Sequence, residues 1–206
     1  FRLVGLSVDS KLQYTTVSDR AQAVCQKAFL RNVARGEAYS QDAPTLWDTT
    51  YQTAVAQAEM EDRERPAAYH HLAFHRADGD DVVIATTRPE LVVSCVALVA
   101  HPDDERYQDL FDTTVTTPVF GVEVPIRPHH LAQPDKGTGI AMICTFGDTT
   151  DVTWWRELDL ATRAVIGKDG RFRRETPDWV TTDAGRTAYE RIAGKASGGA
   201  QIQMVE

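Results

Sequence analysis

The chain has 206 residues, of which 42% are hydrophobic and 25% charged, a composition typical of a folded protein with room for one full-sized domain. Its longest apolar stretch, at 91–100, is far shorter than the roughly 18 residues that a membrane-spanning helix needs, so a membrane protein is excluded. The net charge of −8 excludes a protein that binds nucleic acid over its whole surface but leaves a local basic patch open.

The first 50 residues contain one clear predicted helix. Apolar residues recur at helical spacing within 18–36, with Ser18 as the N-cap and Gly36 as the stop. The rest of 1–50 is irregular, so we expect this lead-in segment to dock on a larger body. The chain begins with Phe1 and has no secretory signal, which predicts a piece excised from a cytoplasmic protein.

Short runs of β-branched residues follow the lead-in segment and predict a compact sheet or barrel. The predicted strands are 82–87, 96–100, 113–120, 122–126, 139–145 and 161–166. Short helices are predicted between them, beginning at Pro89 and spanning 103–111, 150–158 and 183–192. We therefore predict a mixed α/β fold with a β-barrel-like core over 51–195 and a flexible, glycine-rich tail at 196–206.

The first candidate motif is ATTRPE at 85–90, where a predicted buried strand ends in polar side chains. Thr86, Thr87 and Arg88 would place two hydroxyls and a guanidinium at a cleft, and Pro89 would stop the strand. The alternative is a plain strand followed by a capped helix, since threonine also favours strands. The residues alone leave both interpretations open.

The second candidate motif runs from 137 to 151, where a glycine turn leads into an apolar strand and then a Gly-Asp-x-x-Asp loop. Asp148 and Asp151 stand three residues apart at a predicted helix start, where carboxylates stabilise the first N–H groups. The same pair could instead hold a cationic ammonium. The Gly-Thr-Gly turn precedes a strand and lacks the lysine of a phosphate-binding loop, so it does not predict a nucleotide site.

The third candidate is a basic run at 167–175, which contains Lys168, Arg171 and Arg173. It predicts either a local contact with nucleic acid or the solvated edge of a hairpin. Metal chemistry is not predicted, because the six histidines show no ligand spacing and the three cysteines are widely separated. No GxSxG nucleophile motif exists either, so any hydrolysis would depend on positioning water and substrate.

These motifs resemble a known family. ATTRPE at 85–90, VALVAHPDDERYQDLF at 96–111 and GTGIAMICTFGDTTD at 137–151 are similar to the editing domain inserted into class I valyl-, isoleucyl- and leucyl-tRNA synthetases. The valyl enzymes match best. The stretches at 5–39 and 46–62 resemble the chain that leads into this insertion, so the resemblance covers nearly the whole sequence.

The resemblance implies the class I editing-domain fold and an activity that hydrolyses mischarged Thr-tRNA(Val), with threonyl-adenylate as a further candidate substrate. It implies the tRNA acceptor end, the misattached threonine and the remainder of the synthetase as partners. The parent ligase would use ATP and Mg²⁺, but this segment has neither the HIGH nor the KMSKS signature and is expected to need no cofactor or metal.

The resemblance also implies roles for individual residues. Asp151 matches the acidic residue that holds the α-amino group, while Thr86 and Thr87 match the segment that orders the attacking water. The remaining substrate-binding candidates are Asp148, Glu90, Leu91, Met142 and Cys144, and the remaining tRNA-binding candidates are Arg88, Lys136, Lys168, Arg171 and Arg173.

Four positions depart from the family pattern. Leu91 replaces a threonine, Met142 and Cys144 stand where some valyl enzymes have lysine and threonine, and Lys136 replaces an aromatic residue. These departures keep a second hypothesis open, in which the chain is a catalytically silent module that docks the tRNA acceptor end.

Overall fold

The computed structural model describes residues 3, 5, 8–9, 11–40, 43–61, 64 and 66–205. The chain divides into two compact units, Phe1–Ala43 and Pro44–Glu206. The division predicted from the sequence lies a few residues later, at residue 50.

The first unit is built on helix α1 (Asp19–Ala34), which confirms the helix predicted at 18–36. The Ser18 hydroxyl accepts a hydrogen bond from the N–H of Ala21, and Gly36 takes the positive φ of 73° expected of a helix stop. Ala21 is the one buried residue of the helix, and large apolar side chains are exposed at Val24, Phe29, Leu30 and Val33. This unit therefore has little core of its own.

The second unit contains eight strands within the described residues. Two antiparallel pairs come first: β1 (Trp47–Asp48) with β2 (Thr53–Ala54), and β3 (His70–Phe74) with β4 (Val82–Thr86). The other strands are β5 (Cys95–Ala100), β6 (Thr114–Thr116), β7 (Glu123–Pro128) and β8 (Ile140–Cys144). They form a four-stranded sheet in the order β6-β7-β5-β8, in which β5 runs parallel to β7 and antiparallel to β8.

Strand β5 is the centre of this sheet, and all six of its residues are buried. One set of its side chains, including Leu98, packs in the main core with Phe74, Ile84 and Ile126. The other set, including Val99, belongs to a smaller cluster with Trp154. Because both faces of the strand are covered, its sequence is an unbroken apolar run rather than an alternating one.

The mixed α/β class is confirmed, but the predicted β-barrel-like core is wrong, because the described strands do not close into a barrel. Strand β6 meets the β3–β4 hairpin through a single bridge between His75 and Thr116. No ladder joins β4 to β8 in the described chain, and residues of both strands instead line a cavity. Closure needs continuous pairing around the ring, which this gap interrupts.

Two further helices occur where they are predicted, α2 (Thr149–Glu157) and α3 (Asp183–Ile192). The helix predicted to begin at Pro89 is the 3₁₀ helix Pro89–Ser94, and another 3₁₀ helix, Gln57–Glu59, is short. No helix in the described part of the chain is long and apolar enough to cross a membrane.

The helix predicted at 103–111 is largely wrong, since only the 3₁₀ turn Gln108–Leu110 forms. The Asp104 carboxylate accepts a hydrogen bond from the N–H of Arg106, a local bond that competes with helical pairing. The strand predicted at 161–166 is also wrong. The N–H of Arg163 donates to the Thr145 hydroxyl, and only Ile166 makes a strand-like bridge.

The flexible tail predicted at 196–206 is wrong, because this segment forms helix α4 (Ser197–Val205). Ala200 of this helix is fully buried, and Met204 packs against the main core. The glycines of the segment lower its helix propensity, so the helix depends on tertiary packing.

Candidate functional site

A cavity of about 400 Å³ lies between β4, β8 and the start of α2. Residues 85–88 at the end of β4 line one side of it, and residues 139–142 of β8 line another. Its size is that of a small-molecule site. The two motifs singled out in the sequence therefore share one cavity.

Most of the predicted site residues line this cavity: Thr86, Thr87, Arg88, Leu91, Lys136, Met142, Cys144, Asp148 and Asp151. Glu90 does not line it and is only 2% exposed. Lys168, Arg171 and Arg173 also lie outside its lining.

Asp148 is the N-cap of helix α2. Its Oδ1 accepts hydrogen bonds from the N–H groups of Thr150 (2.7 Å) and Asp151 (2.9 Å). Asp148 thus caps the helix, as considered from the sequence, and the same exposed side chain also lines the cavity.

Asp151 is held rigidly at the first turn of the same helix. Its Oδ2 accepts hydrogen bonds from the N–H of Gly147 at 2.8 Å and from the N–H of Cys144 at 3.3 Å. A Cβ at residue 147 would lie 2.5 Å from that Oδ2, so only glycine fits beside the carboxylate. The loop from β8 to α2 therefore fixes the position of Asp151 by close backbone contact.

The pKa of Asp151 is raised from its ordinary value of 3.8 to about 7. Burial is the main cause, because it disfavours the charged form, and the negative charge of Asp148 adds to the rise. The backbone N–H groups of Gly147 and Cys144 act in the opposite direction. A cation placed beside the carboxylate would lower its pKa.

Asp151 differs from the other two buried carboxylates of the described chain in having no cationic partner. Glu90 pairs with Arg88 at 3.2 Å, and Asp104 pairs with Arg106 at 2.6 Å. Asp151, at 6% exposure, makes no ion pair with any described residue. Since buried charges are normally paired, the cavity beside Asp151 suits a cationic ligand.

The end of β4 presents its threonines at the cavity and turns its arginine inward. The Thr86 hydroxyl accepts a hydrogen bond from the N–H of Arg88 at 3.1 Å. The Arg88 guanidinium donates to the Gly147 carbonyl at 3.1 Å and to Glu90 at 3.2 Å. Arg88 therefore ties the two cavity-lining segments together.

Apolar and sulfur-containing side chains form another part of the lining, including Leu91, Met142 and Cys144. Complete burial raises the pKa of the Cys144 thiol well above its ordinary value, with the neighbouring Cys95 and Asp151 adding to the rise. Cys144 is thus a neutral thiol at neutral pH and a poor nucleophile.

The sequence motifs missed five residues of the lining: Tyr69, Leu131, Ala132, Gln133 and Trp154. Trp154 stands one helical turn after Asp151, so helical spacing could have indicated it. The exposed Tyr69 and Leu131 lie outside the recognised motifs, and no local pattern marks them.

The basic run forms a tight turn, in which Ile166 bridges Phe172. The Lys168 ammonium lies 5.7 Å from the centre of the Trp47 ring, and Arg171 donates to the Gly194 carbonyl at 3.1 Å. Arg173 is exposed. Nothing in these contacts prevents the three cations from meeting a phosphate.

Within the described ranges, no group of three or more histidine, cysteine or acidic side chains is arranged to hold a metal ion.

Comparison with known proteins finds valine–tRNA ligases of high sequence identity. The chain is 64% identical over 206 residues to the valine–tRNA ligase of Thermobifida fusca, 63% to that of Leifsonia xyli and 62% to that of Cutibacterium acnes. These matches cover 100% of this chain but only 23–24% of each relative. The chain thus spans about a quarter of the length of these ligases.

A solved structure, the ternary complex of Agrobacterium radiobacter K84 LeuRS with tRNA and LeuAMS, is similar at a TM-score of 0.46 and 16% identity. The match covers 90% of this chain and 30% of the LeuRS chain. No protein-family model matches the chain. The resemblance to valyl-tRNA synthetases is confirmed by these ligases, which match the whole length of this chain.

The raised pKa of Asp151 predicts how stability depends on pH. A carboxyl that binds its proton more tightly when folded stabilises the fold below its unfolded pKa, and this contribution is lost as pH rises to about 7. Asp151→Asn lacks this titration, so its unfolding free energy should increase relative to the parent between about pH 4 and pH 7 and then level off.

Urea unfolding at several pH values measures this difference. Asp78→Asn, which changes an exposed carboxyl, is the control. Parallel curves for the parent and Asp151→Asn would show that the carboxyl titrates normally.

Proposed function

We propose that this chain, a segment belonging to the valine–tRNA ligase family, hydrolyses the ester that links misattached threonine to tRNA(Val). The observation that carries the proposal is Asp151, a buried carboxylate that lines a cavity and has no cationic partner in the described chain. The α-amino group of an aminoacyl ester is a cation of suitable size to fill that role. An ammonium and a carboxylate form a charge-assisted hydrogen bond, which is strong when shielded from water.

A valine ligase has a specific need for such a site. Valine and threonine have nearly the same shape, and the hydrophobic pocket of valine-specific ligases is known to reject threonine only about 10²-fold. A second site that recognises the threonine hydroxyl can remove the errors. Polar pockets reject a ligand that lacks the expected hydroxyl by about 10⁴-fold or more, because their own groups are then left unpaired.

The cavity offers both kinds of contact that threonine requires. Hydroxyl-bearing and acidic side chains are present at Thr86, Thr87 and Asp148, while Leu91 and Met142 provide apolar contact for the methyl group. In this arrangement Asp151 binds the ammonium and Asp148 accepts a hydrogen bond from the substrate hydroxyl, which leaves the Thr86 and Thr87 hydroxyls for the attacking water.

Water is the nucleophile of the proposed reaction. The neutral Cys144 thiol is a poor nucleophile, and Asp151 becomes a poor base once its pKa falls beside an ammonium. Thr86 and Thr87 would orient the water towards the ester carbonyl. The bond between the carbonyl carbon and the ribose oxygen then breaks, and the neighbouring hydroxyl of the terminal ribose passes the proton lost by the water to that leaving oxygen.

Asp151→Asn should lower kcat/KM for Thr-tRNA(Val) deacylation about a hundredfold or more, since losing one partner of a buried charge pair costs about 2–5 kcal/mol. The parent rate should rise as pH approaches 7, as Asp151 ionises, and fall above about 7.7–8.0, as the amine loses its proton. The deacylation rate of Asp151→Asn should not rise as pH approaches 7.

Deacylation of labelled Thr-tRNA(Val) measures both effects, using the chain alone and the full ligase that contains it. A parent chain that binds the acceptor end but hydrolyses nothing in either form would support the silent docking module. Wild-type activity in Asp151→Asn would remove Asp151 from the mechanism.

Asp148 should contribute to selectivity. Asp148→Asn keeps the helix cap, because asparagine caps as well as aspartate, but it removes an anionic acceptor from the cavity. We expect the ratio of deacylation rates on Thr-tRNA(Val) and Val-tRNA(Val) to fall about tenfold, the effect of roughly one hydrogen bond removed. Asp148→Ala should lower the same ratio and also reduce both rates through loss of the cap.

The measurement belongs at about pH 8, above the pKa of Asp151, so that its ionisation does not differ between variants. A wild-type ratio in both variants would leave Asp148 with the capping role alone and would assign selectivity to Thr86 and Thr87.

Binding of the tRNA acceptor end should involve the basic turn despite the net charge of −8. Replacing Lys168, Arg171 and Arg173 together by alanine should flatten the plot of log K against log salt by roughly 0.7 to 0.9 for each phosphate that the variant no longer neutralises. The control removes three cations from the exposed surface of α1, at Arg20, Lys27 and Arg31. Equal slopes in the parent and the basic-turn variant would identify the turn as a solvated edge.

A further inference from the structure

A chain of hydrogen bonds connects the C-terminal helix α4 to the buried carboxylate of the cavity. The Ser197 hydroxyl donates to Oε1 of Glu90 at 2.6 Å, and the same oxygen accepts from Nε of Arg88 at 3.2 Å. Arg88 Nη1 donates to the Gly147 carbonyl at 3.1 Å. The N–H of Gly147 then donates to Oδ2 of Asp151 at 2.8 Å.

Burial of the Glu90 carboxylate at this position costs free energy. It is 2% exposed, and its second oxygen, Oε2, has no hydrogen-bond partner among the described residues. A buried ion pair with incomplete hydrogen bonding adds little stability, because the cost of desolvation offsets the attraction. Its evident effect here is geometric, since it fixes the Nε edge of the Arg88 guanidinium.

Arg88 connects Glu90 to the loop before α2. The guanidinium is planar and rigid, so holding Nε against Glu90 also directs Nη1 towards the Gly147 carbonyl. Gly147 lies directly against Asp151, since its N–H donates to Oδ2 at 2.8 Å and a Cβ at residue 147 would lie 2.5 Å from the same oxygen. A shift of the Gly147 peptide therefore displaces the N–H that holds Asp151.

Helix α4 secures the other end of the network. Besides Ser197, the Gln201 side chain donates to the Thr87 carbonyl at 2.9 Å, and Ala200 between them is fully buried. The helix thus holds the segment at 87–90 at two points.

We propose that Ser197 and Glu90 are positioning residues, which act through Arg88 and Gly147 to place the Asp151 carboxylate in the cavity. The expected loss of deacylation rests on the function proposed above. The placement of the carboxylate does not, and it can be measured without any substrate.

Ser197→Ala tests the proposal without changing any charge. Freed from Ser197, the Glu90–Arg88 pair should loosen its hold on Gly147 and weaken the hydrogen bond to Asp151. Because that bond lowers the pKa of Asp151, the pKa should rise in the variant. Carbon-13 NMR titration of the carboxyl measures it, and kcat/KM for Thr-tRNA(Val) should fall about tenfold, as expected of a slightly misplaced group.

Ser197→Thr keeps the hydroxyl, so both the pKa of Asp151 and kcat/KM should stay at the parent values. Thr113→Ala is the matched control, since it removes a 2.6 Å hydroxyl bond, to the Leu110 carbonyl, outside the network. Arg88→Lys, which keeps the charge but cannot bridge Glu90 and Gly147 with a planar fork, should raise the pKa of Asp151 as Ser197→Ala does.

An unchanged pKa of Asp151 in both Ser197→Ala and Arg88→Lys would overturn the proposal. If the parent chain has no deacylase activity, the proposed function fails, while the titration still decides whether the network positions Asp151.

Discussion

The candidate site depends on one constraint, the burial of the Asp151 carboxylate against the backbone of the loop between β8 and α2. Strand β8 ends at Cys144 and helix α2 begins at Thr149, so the loop supplies two N–H groups within reach of a side chain in the first helical turn. These contacts and the helix N-terminus favour the charged form, but desolvation outweighs them. The Asp151 carboxyl therefore ionises near neutral pH, and a cationic ligand beside it would stabilise its charged form.

The ladder of strands is interrupted between β4 and β8, and residues of both strands line the cavity. A closed ladder would have used the backbone groups of both strands and filled the space with side chains. At this gap, the Thr86 end of β4 and the start of β8 both line the cavity, whose volume of about 400 Å³ is large enough for an amino acid. In the proposed function, the same gap admits threonine and the end of the tRNA.

Local patterns predicted several of the strands and helices, because apolar runs and capping residues are read from neighbouring positions. The cap at Ser18, helix α3 and the strand at Val82–Thr86 are of this kind. Pairing between distant segments was not predictable in this way. The open sheet depends on register across the chain, and helix α4, which replaces the expected flexible tail, is held by packing of Ala200 and by contacts such as the Ser197–Glu90 bond, which joins residues 107 apart.

Removing the α-amino group from the substrate separates binding of the ammonium by Asp151 from any action of Asp151 on the water or the ester. The ester 3-hydroxybutyryl-tRNA(Val) keeps the hydroxyl and methyl of threonine but has no ammonium. We expect Asp151→Asn to slow hydrolysis of Thr-tRNA(Val) about a hundredfold, yet to leave hydrolysis of the deaminated ester within about twofold of the parent. Equal slowing on both substrates would contradict the account, because the carboxylate would then act on the water or the ester and not on the ammonium.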